Sequence, residues 1–213
     1  MTDLEQARET SAPENSRLAS CDHLLVVVGP GHVLPPDYVP SDLVYLNAHG
    51  IVTRGSEDML RHEAAVQLRR LLSAAASDGE EVLVASGYRS YDEQAGTFAW
   101  FGEAYGDEAE KLSAPPGQSE HQLGTAVDFT TSEVGYELVS AFGHTSAGAW
   151  LAEHAAEYGF VLSYGEEDTE TGVGWEPWHY RYVGVEAAQS VRESGESLFA
   201  FLSREGAGRC YTP

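Results

Sequence analysis

Two short segments carry side chains whose types and spacing suit metal-assisted hydrolysis. The first is Ser119-Glu120-His121-Gln122-Leu123-Gly124-Thr125-Ala126-Val127-Asp128. Its end alternates like a strand, so Gly124, Ala126 and Asp128 share one face while Val127 and Phe129 point to the other. A row of tiny side chains ending in a carboxylate wastes packing volume in a core but suits the floor of a site. His121 precedes the strand, where a loop can swing its imidazole over the same face. The second segment is Trp175-Glu176-Pro177-Trp178-His179-Tyr180-Arg181-Tyr182. Pro177 interrupts regular strand pairing, which frees Glu176 and His179 from simple alternation and lets both converge on one point. Two histidines and an aspartate leave the fourth position of a zinc ion open to water, the catalytic arrangement. Zinc brings the pKa of that water to about 7, and Glu176 is the carboxylate that could take its proton. A histidine taken singly is more often structural or exposed, and His23, His32, His49, His62, His144 and His154 are left in that class.

Those segments need elements to hold them. HLLVVVGP reads as a short strand ended by glycine and proline, and VLPPDYVPSDL must run extended over the surface. A helix is predicted from Ser56, which would cap it, with Leu60, Ala64, Leu68, Leu71 and Leu72 at helical spacing and Gly79 past its end. EVLVAS is the next strand. A second helix starts at Ser90, which forms a capping box with Glu93 and carries Gln94, Phe98, Phe101 and Tyr105 in register. Thr145 opens a third helix closing at Gly159. The strands FVLSY and HYRYV follow, on either side of an acidic hairpin-like loop from Gly165 to Gly174. A last helix is expected from about Val185 to Leu202. Mixed elements without regular βαβ alternation imply an α+β fold, a single domain with a mostly antiparallel sheet flanked by helices.

The chain of 213 residues suits one domain, read as residues 21–213 behind a disordered tail of residues 1–20. The net charge of −22, with Lys111 the only lysine, argues against nucleic acid and anionic membranes as partners. No apolar run is long enough to span a membrane. The tail lacks a hydrophobic segment that would serve as an export signal, which leaves the compartment open. Cys21 and Cys210 lie near opposite ends; a disulfide joining them and a pair of free thiols are both compatible with the sequence.

The segments SGYRSYDEQ, SEHQLGTAVDF and EPWHYRYVG together closely resemble the VanY-type D-alanyl-D-alanine carboxypeptidases and the related L,D-carboxypeptidases. These belong to a wider group that includes VanX-type dipeptidases and the hedgehog zinc domain. The likeness runs in order from about Leu34 to Gly184. It implies a hedgehog-like peptidase fold, a Zn2+ ion on His121, Asp128 and His179, and Glu176 as catalytic base. It also implies Arg89 as the stabiliser of the oxyanion and bound peptide, with Gln94 and Ser119 helping to hold substrate. The residues alone leave other roles open: a surface ion pair for Arg89 and core-edge packing for Gln94. Trp178 could wall the substrate pocket or sit in the core. The implied substrates are peptidoglycan stem peptides, cut by a monomer in the cell envelope or outside the cell. Relatives commonly carry basic residues ahead of the second segment, whereas Ser163-Tyr164-Gly165-Glu166-Glu167-Asp168 has none, which bears on the exact peptide recognised.

Overall fold

Apolar residues at alternating positions build a central sheet, and a computed structural model describes residues 18–55, 57–166 and 170–211. The chain opens with strands β1 (Leu18–Ser20), β2 (Val26–Val27), β3 (Leu43–Tyr45) and β4 (Met59–Arg61), then helix α1 (His62–Ser77). Strand β5 (Leu83–Ser86), helices α2 (Tyr91–Tyr105) and α3 (Ala109–Leu112), and strand β6 (Ala126–Thr130) follow. Helix α4 (Ser146–His154), strands β7 (Phe160–Leu162) and β8 (His179–Tyr182), helices α5 (Val185–Ser194) and α6 (Leu198–Glu205) and strand β9 (Gly208–Tyr211) complete it.

The central sheet has the order β5-β6-β8-β7, antiparallel throughout. Val127, Phe129, Tyr180 and Tyr182 on one of its faces join α1 and α4 in the largest apolar cluster, with Leu68, Leu71, Phe142 and Leu151. Alternation along β6 and β8 therefore buries one face in hydrocarbon and leaves Asp128, His179 and Arg181 to the other. The α+β architecture and the antiparallel sheet agree with the sequence reading. Parallel pairing occurs in a small terminal sheet of order β1-β9-β2.

Several boundaries differ from expectation. The helix expected from Ser56 begins at His62, because Leu60 pairs with Val44 in the β3-β4 hairpin instead of lying on a helix face. Ser56 lies outside the described residues. The expected last helix breaks at Gly195, whose φ of 69° no continuing helix can use, and Ser197 caps a new helix by accepting from the Ala200 amide. Strand β9, unforeseen, returns the C-terminus to β1. That pairing makes Leu18–Ser20 a strand within the stretch expected to be disordered; residues 1–17 lie outside the described residues. Cys21 and Cys210 are bridged, with Cα atoms 4.5 Å apart, so the disulfide closes the two ends over the terminal sheet. The proline-rich stretch, expected to run extended over the surface, instead turns at Pro36-Asp37, where the Tyr38 amide donates to the Pro35 carbonyl at 3.1 Å, and is pinned inward: Leu34 and Tyr38 are buried, and the Tyr38 hydroxyl donates to the Cys21 carbonyl at 2.9 Å. The capping box of Ser90 and Glu93 forms as read, and Thr145 caps α4.

Candidate metal and catalytic centre

The register of β6 against β8 sets Asp128 opposite His179 and Ala126 opposite Arg181. Asp128 Oδ1 lies 2.9 Å from His179 Nδ1, and its Oδ2 lies 3.2 Å from His121 Nε2. His121 sits in a 3-10 turn, Glu120–Leu123, that ends on left-handed Gly124. A side chain at Gly124 would strike Leu43 and Arg61, within 2.7 and 3.1 Å. Gly124 is therefore packed beneath the β3-β4 hairpin and is not part of the site floor, contrary to the sequence reading. The Nδ1–H of His121 donates to the Gly87 carbonyl over 2.6 Å, which reserves its Nε2 lone pair for a ligand. The loop bearing Gly87 passes so close to β4 that a Cβ there would sit 2.6 Å from the Met59 carbonyl oxygen, so glycine is required.

One ligand atom each from His121, Asp128 and His179 lies within 4.8 Å of the others, and all three side chains are buried. Burial alone would raise the Asp128 carboxyl, but His121 and His179 outweigh it and hold it well below the usual carboxylate range. Burial pushes His121 down, toward the neutral form a metal ligand needs. On His179 burial is outweighed by hydrogen bonds to Asp128 and Glu120, which push it up to about 10. Two buried imidazoles and a carboxylate crowded together on the cleft wall form a donor set that a divalent cation with N/O preference fits, and zinc is the ion of that chemistry.

Glu176 enters the centre through a tight turn. Pro177 supplies the fixed φ of the second turn position, and the His179 amide donates to the Glu176 carbonyl at 2.9 Å. Burial pushes the Glu176 carboxyl up to about 7. Arg89 follows β5, and its Nη1 donates to Gln94 Oε1 at 2.9 Å while Nη2 reaches Ser86 Oγ at 3.3 Å. Gln94, 1% exposed, uses its amide nitrogen on Ser113 Oγ and the Ala114 carbonyl. Among the described residues Arg89 makes no ion pair, so the surface ion pair is not what forms; Gln94 orients a guanidinium left free to meet an anion.

A cleft of about 510 Å³ is lined by Arg89, Gln94, Ser119, His121, Asp128, Glu176, Trp178 and His179 together. Every residue expected from the sequence to bind metal, catalyse or hold substrate thus lines one cavity. Trp178 lines the cleft and, partly buried, packs against the main core. A larger cavity of about 900 Å³ between α4, β7, α5 and α6 contains none of these residues and is walled largely by aliphatic side chains. Sequence reasoning missed Glu120, Ser163, Tyr164 and Arg181. Tyr164 lines the cleft with its ring centroid 5.0 Å from that of His179. Glu120 takes a salt bridge from fully buried Arg181 at 2.9 Å. The available signal was a lone arginine inside the aromatic strand HYRYV, two positions from His179 and hence on its face.

Residues 57–185 match the family model of VanY, D-alanyl-D-alanine carboxypeptidase. The chain belongs to this family. It is thereby an enzyme family member of the carboxypeptidase class. The YodJ protein of Bacillus subtilis is 36% identical over 186 residues, which cover 86% of this chain and 68% of YodJ. The chain spans 53% and 57% of two longer enterococcal D-alanyl-D-alanine carboxypeptidases. The structure of the LD-carboxypeptidase LdcB superposes with a TM-score of 0.79 at 36% identity, over 86% of this chain and 87% of LdcB. A VanY D,D-pentapeptidase solved with Zn(II) superposes with a TM-score of 0.67 at 32% identity, over 84% of this chain and 98% of that one.

Proposed function

We propose that the chain is a zinc carboxypeptidase that removes the C-terminal D-alanine from peptidoglycan stem peptides. The observation that carries this reading is the meeting of a His-Asp-His donor set, a buried glutamate and an arginine without an ion pair among the described residues in one cleft. His121, Asp128 and His179 would hold the zinc, which when bound supplies a Lewis acid and acidifies water. Glu176, with its carboxyl raised by burial, accepts the proton of the attacking water and returns it to the departing amine nitrogen. Arg89, oriented by Gln94, offers its planar donor fork to the carbonyl oxygen as negative charge develops there. Ser119 and Trp178 shape the wall against which the peptide lies. A non-catalytic zinc module would have little use for Glu176 and Arg89 held in this relation.

Peptidoglycan is an extracytoplasmic polymer, and the Cys21–Cys210 bridge suits an oxidising compartment, which supports action in the cell envelope. The likeness to LdcB favours a second reading, an L,D-carboxypeptidase acting on tetrapeptide stems. Incubation of zinc-loaded protein with pentapeptide and tetrapeptide stems, read by product mass, separates the two. Loss of one alanine from the pentapeptide alone supports the D,D reading; loss from the tetrapeptide supports the L,D reading. Both peptides intact would contradict the assignment.

A further inference from the structure

Glu120 is a buried acid that the hydrolytic chemistry above does not use, and its bonds lead to the metal centre. The residue is 5% exposed. Oε1 accepts from Arg181 Nη1 at 2.9 Å, and Oε2 accepts from Ser163 Oγ at 2.6 Å. The same Oε2 lies 3.2 Å from His179 Nε2. Arg181 is itself anchored, its Nη2 donating to the carbonyls of Leu24 and Val26 at 2.9 and 2.7 Å. Its cross-strand neighbour is Ala126, whose small side chain leaves room for the guanidinium. The tiny side chain of Ala126 on this face of β6 thus makes space for a buried ion pair.

A neutral imidazole has one N–H and one lone pair, and the partner of the N–H decides which nitrogen is left for a metal. An ionised carboxylate at Nε2 accepts only, so the proton belongs on that nitrogen. The opposite nitrogen, Nδ1, is the one that faces Asp128. The arrangement mirrors His121 with ring nitrogens exchanged: there Nδ1–H goes to the Gly87 carbonyl and Nε2 faces Asp128.

We propose that Glu120, fixed by Arg181 and Ser163, is a positioning residue that holds the His179 ring by its Nε2–H so that Nδ1 is the metal-ligating nitrogen. This rests on the reading of His121, Asp128 and His179 as a metal site. The bland competitor is an ion pair that merely holds the fold. Removing one partner of a buried pair leaves the other charge stranded and destabilises any protein, so both ends are replaced together.

The test compares two double variants, Glu120→Leu with Arg181→Met and Glu120→Gln with Arg181→Met. Zinc affinity is measured by chelator competition, with thermal unfolding of the zinc-free proteins in parallel. The Leu/Met variant should bind zinc about 10- to 100-fold more weakly than wild type. The Gln/Met variant restores an acceptor for Nε2–H and should recover most of that loss at similar zinc-free stability. Wild-type zinc affinity in the Leu/Met variant would overturn the proposal. Should neither variant fold, nitrogen-15 histidine spectra of the zinc-loaded wild type decide: Nδ1 of His179 metal-bound with Nε2 protonated is expected, and metal on Nε2 would overturn it. A wild-type chain that takes up no zinc would instead remove the metal reading itself.

Discussion

The two faces of the β6-β8 pair are both fully buried, and they are built by opposite rules. On one face Val127, Phe129, Tyr180 and Tyr182 pack into hydrocarbon, where stability comes from area removed from water. On the other Asp128, His179 and Arg181 are equally hidden, yet each charge meets a partner: Asp128 the histidines, Arg181 the Glu120 carboxylate. Burying such groups is unfavourable unless they are paired and hydrogen-bonded, so this face trades packing for a fixed electrostatic centre. Because the side-chain period of a strand is two, a slip of one residue would exchange the faces and destroy both. Core and chemistry thus share a single register.

Substitutions on each face should separate along these lines. The largest effect is expected beside the polar face, at the proposed base: Glu176→Ala should lower kcat by about 10²- to 10⁴-fold while zinc stays bound. Steady-state kinetics with metal analysis checks this, and near-normal turnover would remove Glu176 from the mechanism. On the apolar face Phe129→Ala should destabilise the fold by about 3–5 kcal/mol while folded protein keeps its zinc affinity. Denaturant titration reads the first part and chelator competition the second; a loss of zinc affinity as large as that of a ligand variant would erase the distinction between faces.

Away from the sheet, reduction of Cys21–Cys210 removes a closure spanning 189 residues. It should lower stability by up to about 5 kcal/mol in the chain-entropy limit, as a shift in denaturant midpoint. Gln94→Ala loosens Arg89 without removing it and should weaken kcat/KM by about tenfold, less than Arg89→Ala, with zinc content unchanged. The pH profile sharpens the role of Glu176. It acts as a base only when ionised, and burial raises its carboxyl to about 7, so activity falls as pH drops through that pKa. The lowering by Arg89 is already contained in that value, and a bound cation lowers it further, so the acid limb of kcat/KM should lie at or below pH 7; activity that rises toward acid would refute the base assignment.

The convergence of the candidate site residues was more legible in the sequence than the scaffold that gathers them. His121, Asp128, Glu176 and His179 are carried by residue types rare in strands and turns of a core, and the three motif blocks fixed their order. The α1 start misled because Leu60 fits a helical period as well as a strand, and only its pairing with Val44 across the hairpin decides between them. The break at Gly195 left a visible mark, a glycine followed by a capping serine, that the apolar pattern on either side concealed. Strand β9 had no local signal, since its formation depends on β1 and β2 nearly the whole chain away. Glu120 and Arg181 were unreadable as a pair for a similar reason: their contact spans 61 positions and exists only once β8 is docked.

Metal content measured by mass spectrometry on dialysed protein tests the central claim most directly. Wild type and Glu176→Ala should each retain about one zinc per chain, whereas His121→Ala, still folded by circular dichroism, should retain about a tenth of that or less. Equal zinc in His121→Ala and wild type would contradict the assigned centre, as would a wild type that holds none.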